Sequence, residues 1–303
     1  MMTYLIRGID KDITFRFFAV DTTQVVEKAR EYHQSSPVAT AALGRLLTAG
    51  LMVGATLKNQ EDKVTLRVNG GGPLGTLIVT ANNEGHVKGY VANPKAEVPI
   101  RSDGKLDVGS VVGQDGMLQM IKDMGLKEPY SGSSPLVSGE IGDDLASYYF
   151  FSEQQPTVVG VGVLVDKDRT VKSAGGFMLQ LMPNLNDDEI KKIEGTIGQI
   201  EGISNYFEKE EDIETIVKQL LPDFELTITE KTPVAYKCDC SRKRMEEVLI
   251  SLGEQELEEI LKMENKAEIS CHFCNKKYLF GENELRSMLD DIRRQGDCHH
   301  CHH

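Results

Sequence analysis

The residues best equipped for chemistry lie near one end of the chain. All six cysteines of the 303-residue sequence fall after position 237. Cys238 and Cys240 make a C-x-C pair, and Cys271 and Cys274 make a C-x-x-C pair further on. Zn²⁺ takes four tetrahedral ligands, and two short-spaced thiol pairs from separate turns deliver that set. One zinc per chain is therefore expected on Cys238, Cys240, Cys271 and Cys274. Lys237, Arg242, Lys243, Arg244, Lys276 and Lys277 sit beside these thiols and favour thiolate over thiol. His272 is the rival ligand, but beside four thiols it reads as a bystander. A disulfide within a C-x-C pair closes a tight, strained ring, which raises its reduction potential and makes it readily reversible. Spacing alone leaves a structural zinc knuckle and a redox switch equally open.

The tail from Cys298 to His303 also consists of ligand types. It follows the last helical pattern and lacks apolar anchors, so 296–303 reads as an unstructured or appended tail outside the mechanism.

Composition narrows the function classes. With 47 acidic and 34 basic side chains, the net charge is -13, the opposite of a nucleic-acid or anionic-lipid footprint. Arg242-Lys243-Arg244 is a local basic cluster, yet residues 233–295 hold eleven basic against thirteen acidic side chains. In the apolar stretch Ala39–Leu57 the longest uncharged run is twelve residues, short of the roughly 20 that cross a bilayer. Arg7, Asp10 and Lys11 occupy the place of a signal peptide's apolar core. The expectations are no nucleic acid, no membrane and a cytoplasmic location. A disulfide-stapled secreted protein would also spread its cysteines through the fold.

The elements that must position the thiols follow from periodicity. Thr3–Val20 reads as a strand pair turning at Asp10-Lys11-Asp12. A helix entered at Asp21 or Thr22 and a buried helix over Val38–Leu57 come next. Lys63–Val68, Thr76–Ala81 and His86–Val91 read as antiparallel strands, the last two joined at Asn82-Asn83-Glu84-Gly85. A loop-rich stretch precedes a short helix over Asp144–Glu153. The hairpin Thr157–Val165 and Val171–Leu181 then closes the domain, with Gly175-Gly176 read as a bulge. The fold class is α+β: an N-terminal sheet-and-helix domain (1–183), a helical linker (184–232) and a small C-terminal zinc-binding domain (233–295).

The linker differs in kind. Ile190, Ile193, Ile197 and Ile200 fall on one helical face, and Ile213, Ile216, Val217 and Leu220 make a second stripe. Asn186 reads as an N-cap, with Glu189 completing a capping box. Residues 184–223 carry eleven acidic side chains against four lysines, a net of -7. Gly195, Gly198 and Gly202 each weaken a helix interior by about 1 kcal/mol relative to Ala. These helices are amphipathic and weak, dependent on whatever the stripe packs against.

From Val234 a strand enters Cys238, followed by a helix over Ser241–Leu252 ended by Gly253. A helix through Leu257, Ile260 and Leu261, a hairpin around Cys271–Phe280, and a last helix carrying Leu285, Met288, Leu289 and Ile292 complete the unit. About 60 residues make a marginal core that needs a staple.

The strings beginning Cys238-Asp-Cys-Ser-Arg-Lys-Arg and Cys271-His-Phe-Cys-Asn-Lys-Lys-Tyr resemble the redox-regulated thirty-three-kilodalton heat-shock chaperone family. So do Ala41-Ala-Leu-Gly-Arg-Leu-Leu-Thr-Ala, Asn69-Gly-Gly-Gly-Pro-Leu-Gly, Tyr90-Val-Ala-Asn-Pro, Ser152-Glu-Gln-Gln-Pro and Ala174-Gly-Gly-Phe-Met-Leu-Gln-Leu-Met-Pro, in the family's order. The resemblance spans residues 3–294 and leaves only the tail outside. It implies a homodimeric, ATP-independent cytosolic holdase that is no enzyme: zinc-bound and inactive when reduced, active after hypochlorite, or peroxide with heat, expels the zinc. It implies disulfides joining Cys238 with Cys240 and Cys271 with Cys274. Unfolding of the zinc lobe would then deprive the linker helices of a packing partner. Their stripes, Ile190, Ile193, Ile197, Ile200, Ile213, Ile216, Val217 and Leu220, are the expected surface for unfolded client proteins, and their acidic excess would keep the opened form soluble.

The enzyme-class alternative is a zinc-containing thiol oxidoreductase using Cys271 and Cys274. Such a motif should open a helix after a strand, whereas Asn275-Lys-Lys-Tyr-Leu-Phe reads as a hairpin. Asn69–Gly75 lacks the Gly-Lys-Ser/Thr ending of a phosphate loop and reads as a turn. His33 and His86 read as ordinary side chains, surface or hydrogen-bonded.

Overall fold

The computed structural model describes residues 3–208 and 211–298. The chain divides into two compact units, Met1–Lys237 and Cys238–His303.

The first unit opens with β1 (Tyr4–Asp10) and β2 (Phe15–Asp21). Their turn is built on the buried Asp10 carboxylate, which accepts from the Thr14 and Phe15 amides at 2.7 and 2.9 Å and from the Thr14 hydroxyl at 2.9 Å. Helices α1 (Thr23–His33) and α2 (Pro37–Gly54) follow. Ser36 caps α2 and Pro37 takes its first turn, where a missing amide hydrogen costs nothing. By length and composition α2 could cross a membrane, but 89% of it is buried inside the unit. Its charged residue, Arg45, pairs with Glu140.

β3 (Lys63–Asn69), β4 (Leu77–Asn82) and β5 (His86–Val91) form the expected antiparallel set, with Gly85 at φ 77° in the β4–β5 turn. The stretch read as loop-rich contains α3 (Val108–Val112), β6 (Met117–Asp123) and β7 (Tyr130–Pro135). β7 ends its sheet, where Pro135 is tolerated, and Gly132 leaves room for the Tyr148 hydroxyl, so no strand pattern is visible. Next come α4 (Gly142–Ser152), β8 (Thr157–Val165) and β9 (Val171–Leu181). The β8–β9 register shifts at Leu164/Val165, not at Gly175-Gly176, where pairing is regular.

The segment 184–232, expected to be helical, holds α5 (Asp187–Ile197), α6 (Ile203–Tyr206) and α7 (Ile213–Leu220), and then a strand, β10 (Leu226–Pro233). β10 pairs antiparallel with β1 at the sheet edge. Most of its side chains are exposed, so its sequence carries little apolar alternation. A two-residue strand, β11 (Ala235–Tyr236), pairs parallel with β5.

Two sheets result, ordered β10-β1-β2-β9-β8 and β11-β5-β4-β3-β6-β7. α2 packs against strands of both, and its apolar surface forms the principal core with Leu5, Phe18, Val20, Leu66, Val79 and Met178.

The second unit contains α8 (Arg242–Ile250), α9 (Glu254–Glu264), β12 (Lys266–Ser270), β13 (Lys277–Gly281) and α10 (Glu282–Cys298). Among the described residues ten side chains form its buried apolar cluster, a small core for which a staple adds stability. Residues 296–298, read as the start of the tail, continue α10, and 299–303 lie outside the described residues.

Candidate metal centre and a helix-covered sheet face

Three local structures bring the thiols together. Ser241 caps α8 by accepting from the Arg244 amide at 3.2 Å, which holds Cys238 and Cys240 at the helix entrance. β12 and β13 pair from Lys266↔Gly281 to Ser270↔Lys277, leaving residues 271–276 as their loop. That loop is closed by the Cys271 amide donating to Lys276 O (3.0 Å) and the Asn275 amide donating to Cys271 O (2.8 Å), with Asn275 at φ 55°. Arg242 then ties helix to hairpin. Its guanidinium lies 4.4 Å from the Phe280 ring centroid and donates to Leu279 O and to Glu284, each at 2.7 Å.

The four sulfurs of Cys238, Cys240, Cys271 and Cys274 lie within 4.8 Å of one another. Two of the approaches cross between the loops: 3.6 Å for Cys238 to Cys271 and 3.5 Å for Cys240 to Cys274. A tetrahedron with arms of ~2.3 Å has edges of ~3.8 Å, so the set fits a thiophilic ion such as Zn²⁺. Among the described residues this is the group of His, Cys, Asp and Glu side chains able to hold a metal, and His272 is outside it. The Cys240 amide donates to the Cys238 sulfur, and the Lys276 amide donates to that of Cys274. The Tyr278 hydroxyl donates to Cys240 at 3.2 Å.

Burial pushes the Cys238 and Cys274 thiols up. At Cys240 burial acts the same way, but donation from Tyr278 and the neighbouring thiols outweighs it and holds this thiol below its ordinary value. Ionisation is thus easier at Cys240 than at Cys238 or Cys274. Several of the flanking cations are engaged elsewhere: Arg242 with Glu284, Arg244 with Asp239, and Lys277 with Glu268. They offset thiolate charge less than the sequence suggests. The Cys271–Cys274 motif lies in a hairpin loop and does not open a helix, unlike a thioredoxin-type site.

A second feature belongs to the first unit. Along β2, Phe18 and Val20 face the principal core, whereas Phe15, Phe17 and Ala19 point to the opposite side with Ile6, Phe177 and Leu179. That second face is covered by the linker helices. Ile193, Ile213, Ile216, Val217 and Leu220 are buried in its cluster, Ile197 and Ile200 pack at its margin, and Ile190 is half-buried. Asn186 and Glu189 form the expected capping box.

Sequence reasoning missed Phe207, Leu221 and Phe224 of this cluster, and the glycine seat beneath α6. A methyl group on Gly175 would overlap the Phe207 ring, which makes Gly175 the seat of that ring, whereas one on Gly176 would meet Gly160 O and Thr48. The consecutive apolar run Phe17-Phe18-Ala19-Val20 was the available signal for a strand buried on both faces. Three helices of eleven, four and eight residues are too short to persist alone, so the sheet holds them in place.

The family model described as Hsp33 protein matches residues 3–281. The 33 kDa chaperonin of Alkaliphilus metalliredigens is 46% identical over 292 residues, covering 96% of this chain and all of the relative. That of Clostridium acetobutylicum is 45% identical over 290 residues, covering 95% and 98%. The crystal structure of the 33 kDa chaperonin (Heat shock protein 33 homolog) from Thermotoga maritima superposes with a TM-score of 0.89 at 37% identity, covering 96% of this chain and 99% of that one.

Proposed function

The chain belongs to the Hsp33 family of chaperones, and on that premise we propose that it is a redox-regulated, ATP-independent cytoplasmic holdase, inactive while reduced and zinc-bound and opened by oxidation. The observation that carries this reading is the clustering of four thiols from two separate loops within 4.8 Å. Zn²⁺ on these thiols would cross-link the entrance of α8 to the β12–β13 loop, a contribution on the order of 10 kcal/mol to a small unit.

Two thiols and one hypochlorous acid yield one disulfide, chloride, a proton and water, so two oxidant molecules convert all four cysteines. Pairing Cys238 with Cys240 and Cys271 with Cys274 closes each loop on itself. The cross-link between loops is then gone, and a ten-residue core has to hold the unit alone. Pairing across the loops would instead replace the metal's staple with a covalent one. Only the first pairing turns oxidation into an opening signal.

Cys238 follows β11, and β11 follows β10 and α7, so disorder at the thiols passes along the backbone toward the linker helices. Release of these helices exposes two complementary apolar surfaces, the helix stripe and the sheet face of Ile6, Phe15, Phe17, Phe177 and Leu179. Both suit unfolded client segments, and the eleven acidic residues of 184–223 keep the open form soluble. The active form is a homodimer.

The test combines zinc content with suppression of light scattering by an aggregating client, on protein lacking 299–303, before and after hypochlorite. Release of one zinc per chain, new suppression, and disulfides mapped within each loop are expected. Retained zinc, suppression indifferent to oxidation, or disulfides crossing the loops would overturn the reading.

A further inference from the structure

We propose that Tyr278 is a positioning residue of the thiol cluster: its hydroxyl fixes the Cys240 sulfur in the ligand set and shields it from electrophiles. Two of the other sulfurs receive backbone amides, which no substitution removes without breaking the loop. Cys240 instead receives a side-chain hydroxyl at 3.2 Å, from a residue on a different element. The geometry is built for this contact. Tyr278 pairs across the hairpin with Ile269, points inward with Phe280, and is only 6% exposed, so its ring is held by the core. The Lys276 ammonium lies 5.2 Å from the ring centroid.

A hydrogen bond to a ligating sulfur withdraws electron density from the lone pair that would attack an electrophile, and it orients the ligand for the metal. Partners of this outer shell typically contribute 10–100-fold to metal affinity. Tyr278 also bridges the two ligand loops, because Cys240 precedes α8 while Tyr278 follows the other loop. The zinc part of the inference rests on the proposed metal reading, and the sulfur-reactivity part does not.

The test uses full-length reduced protein, wild type and Tyr278→Phe, which deletes the hydroxyl and keeps the ring. Transfer of zinc to a chromogenic chelator should be about 10-fold faster in the variant. In the zinc-bound protein, where the sulfurs are thiolates whatever the donor, alkylation by iodoacetamide, resolved by mass spectrometry, should rise selectively at Cys240 relative to Cys274. In cobalt-substituted protein the sulfur-to-metal charge-transfer band should move to lower energy, a signature that altered packing alone does not produce. Lys276→Gln serves as the second variant: it perturbs the same ring, leaves the hydroxyl in place, and should leave the Cys240 to Cys274 ratio unchanged. Unchanged Cys240 reactivity and band position in Tyr278→Phe, or equal acceleration in both variants, would overturn the proposal. Wild-type protein that binds no zinc would overturn the metal reading alone, since on metal-free protein the contact is still read by the Cys240 to Cys274 alkylation ratio, which Tyr278→Phe should change and Lys276→Gln should not.

Discussion

Arg242 stacks its guanidinium 4.4 Å from the ring centroid of Phe280 and so joins the helix that follows one thiol pair to the strand that follows the other. Arg242→Ala removes the stack and the hydrogen bonds to Leu279 O and Glu284. Arg242 is half-exposed, so the loss is expected to be about 1 kcal/mol, roughly fivefold in metal retention. Chelator competition measures it, and an unchanged rate would mean that the metal alone holds the loops in register.

Gly175 is the seat of Phe207. Gly175→Val drives a side chain into that ring, and overpacking of this kind costs about 1–3 kcal/mol. The expected result is a looser α6 and partial suppression of client aggregation in the reduced, zinc-bound protein. Limited proteolysis should show new cleavage within 184–223 while zinc content stays at the wild-type value. Tight protection of that segment in the variant would contradict the docking role of Gly175.

Ile216 is 1% exposed at the centre of the helix-covered face. Ile216→Ser should weaken α7 by roughly 2–4 kcal/mol, and hydrogen exchange should report faster opening over Ile213–Leu220. Client binding in the oxidised state distinguishes the two candidate surfaces. If the sheet face of Phe15, Phe17 and Phe177 carries clients, the oxidised variant keeps wild-type affinity and the reduced variant gains activity. A large loss of oxidised affinity would assign the clients to the helix stripe.

His33 donates from Nε2 to the Gly89 carbonyl at 3.0 Å, the same carbonyl that accepts from the Tyr236 hydroxyl at 2.7 Å. Burial holds its imidazole below the ordinary value of 6.5. The unfolded chain therefore takes up a proton more readily than the folded one. The stability linked to His33 is complete above about pH 6.5 and is lost as pH falls through the depressed folded value, with a slope of at most about 1.4 kcal/mol per pH unit. Denaturant titrations of wild type and His33→Gln should converge in their pH dependence above 6.5 and separate below it. Parallel curves throughout would show that His33 takes no part.

Much of the fold was legible because it is periodic. α2, the β4–β5 turn at Gly85 and the capping box at Asn186 and Glu189 follow from local rules that need no tertiary partner. β7 and β10 were not legible, because each is an edge strand whose side chains are mostly exposed, and exposure removes the apolar alternation that marks a strand. Gly175-Gly176 was misread as a bulge for a related reason. A glycine that admits a distant aromatic ring looks, in sequence, the same as one that breaks a register.

The sequence by itself singled out the four thiols that could hold a metal, since thiols at C-x-C and C-x-x-C spacing carry that capacity in their atom types. It also determined that the linker stripes need an apolar partner, since helices so short and glycine-rich do not persist alone. Tertiary structure decided that the partner is the second face of the β10-β1-β2-β9-β8 sheet, because only the pairing of β2 between β1 and β9 turns Phe15, Phe17 and Phe177 to one side. It likewise decided that Tyr278 reaches Cys240. That contact joins residues 38 positions apart, and its distance is set by how α8 docks on a hairpin rather than by any local spacing.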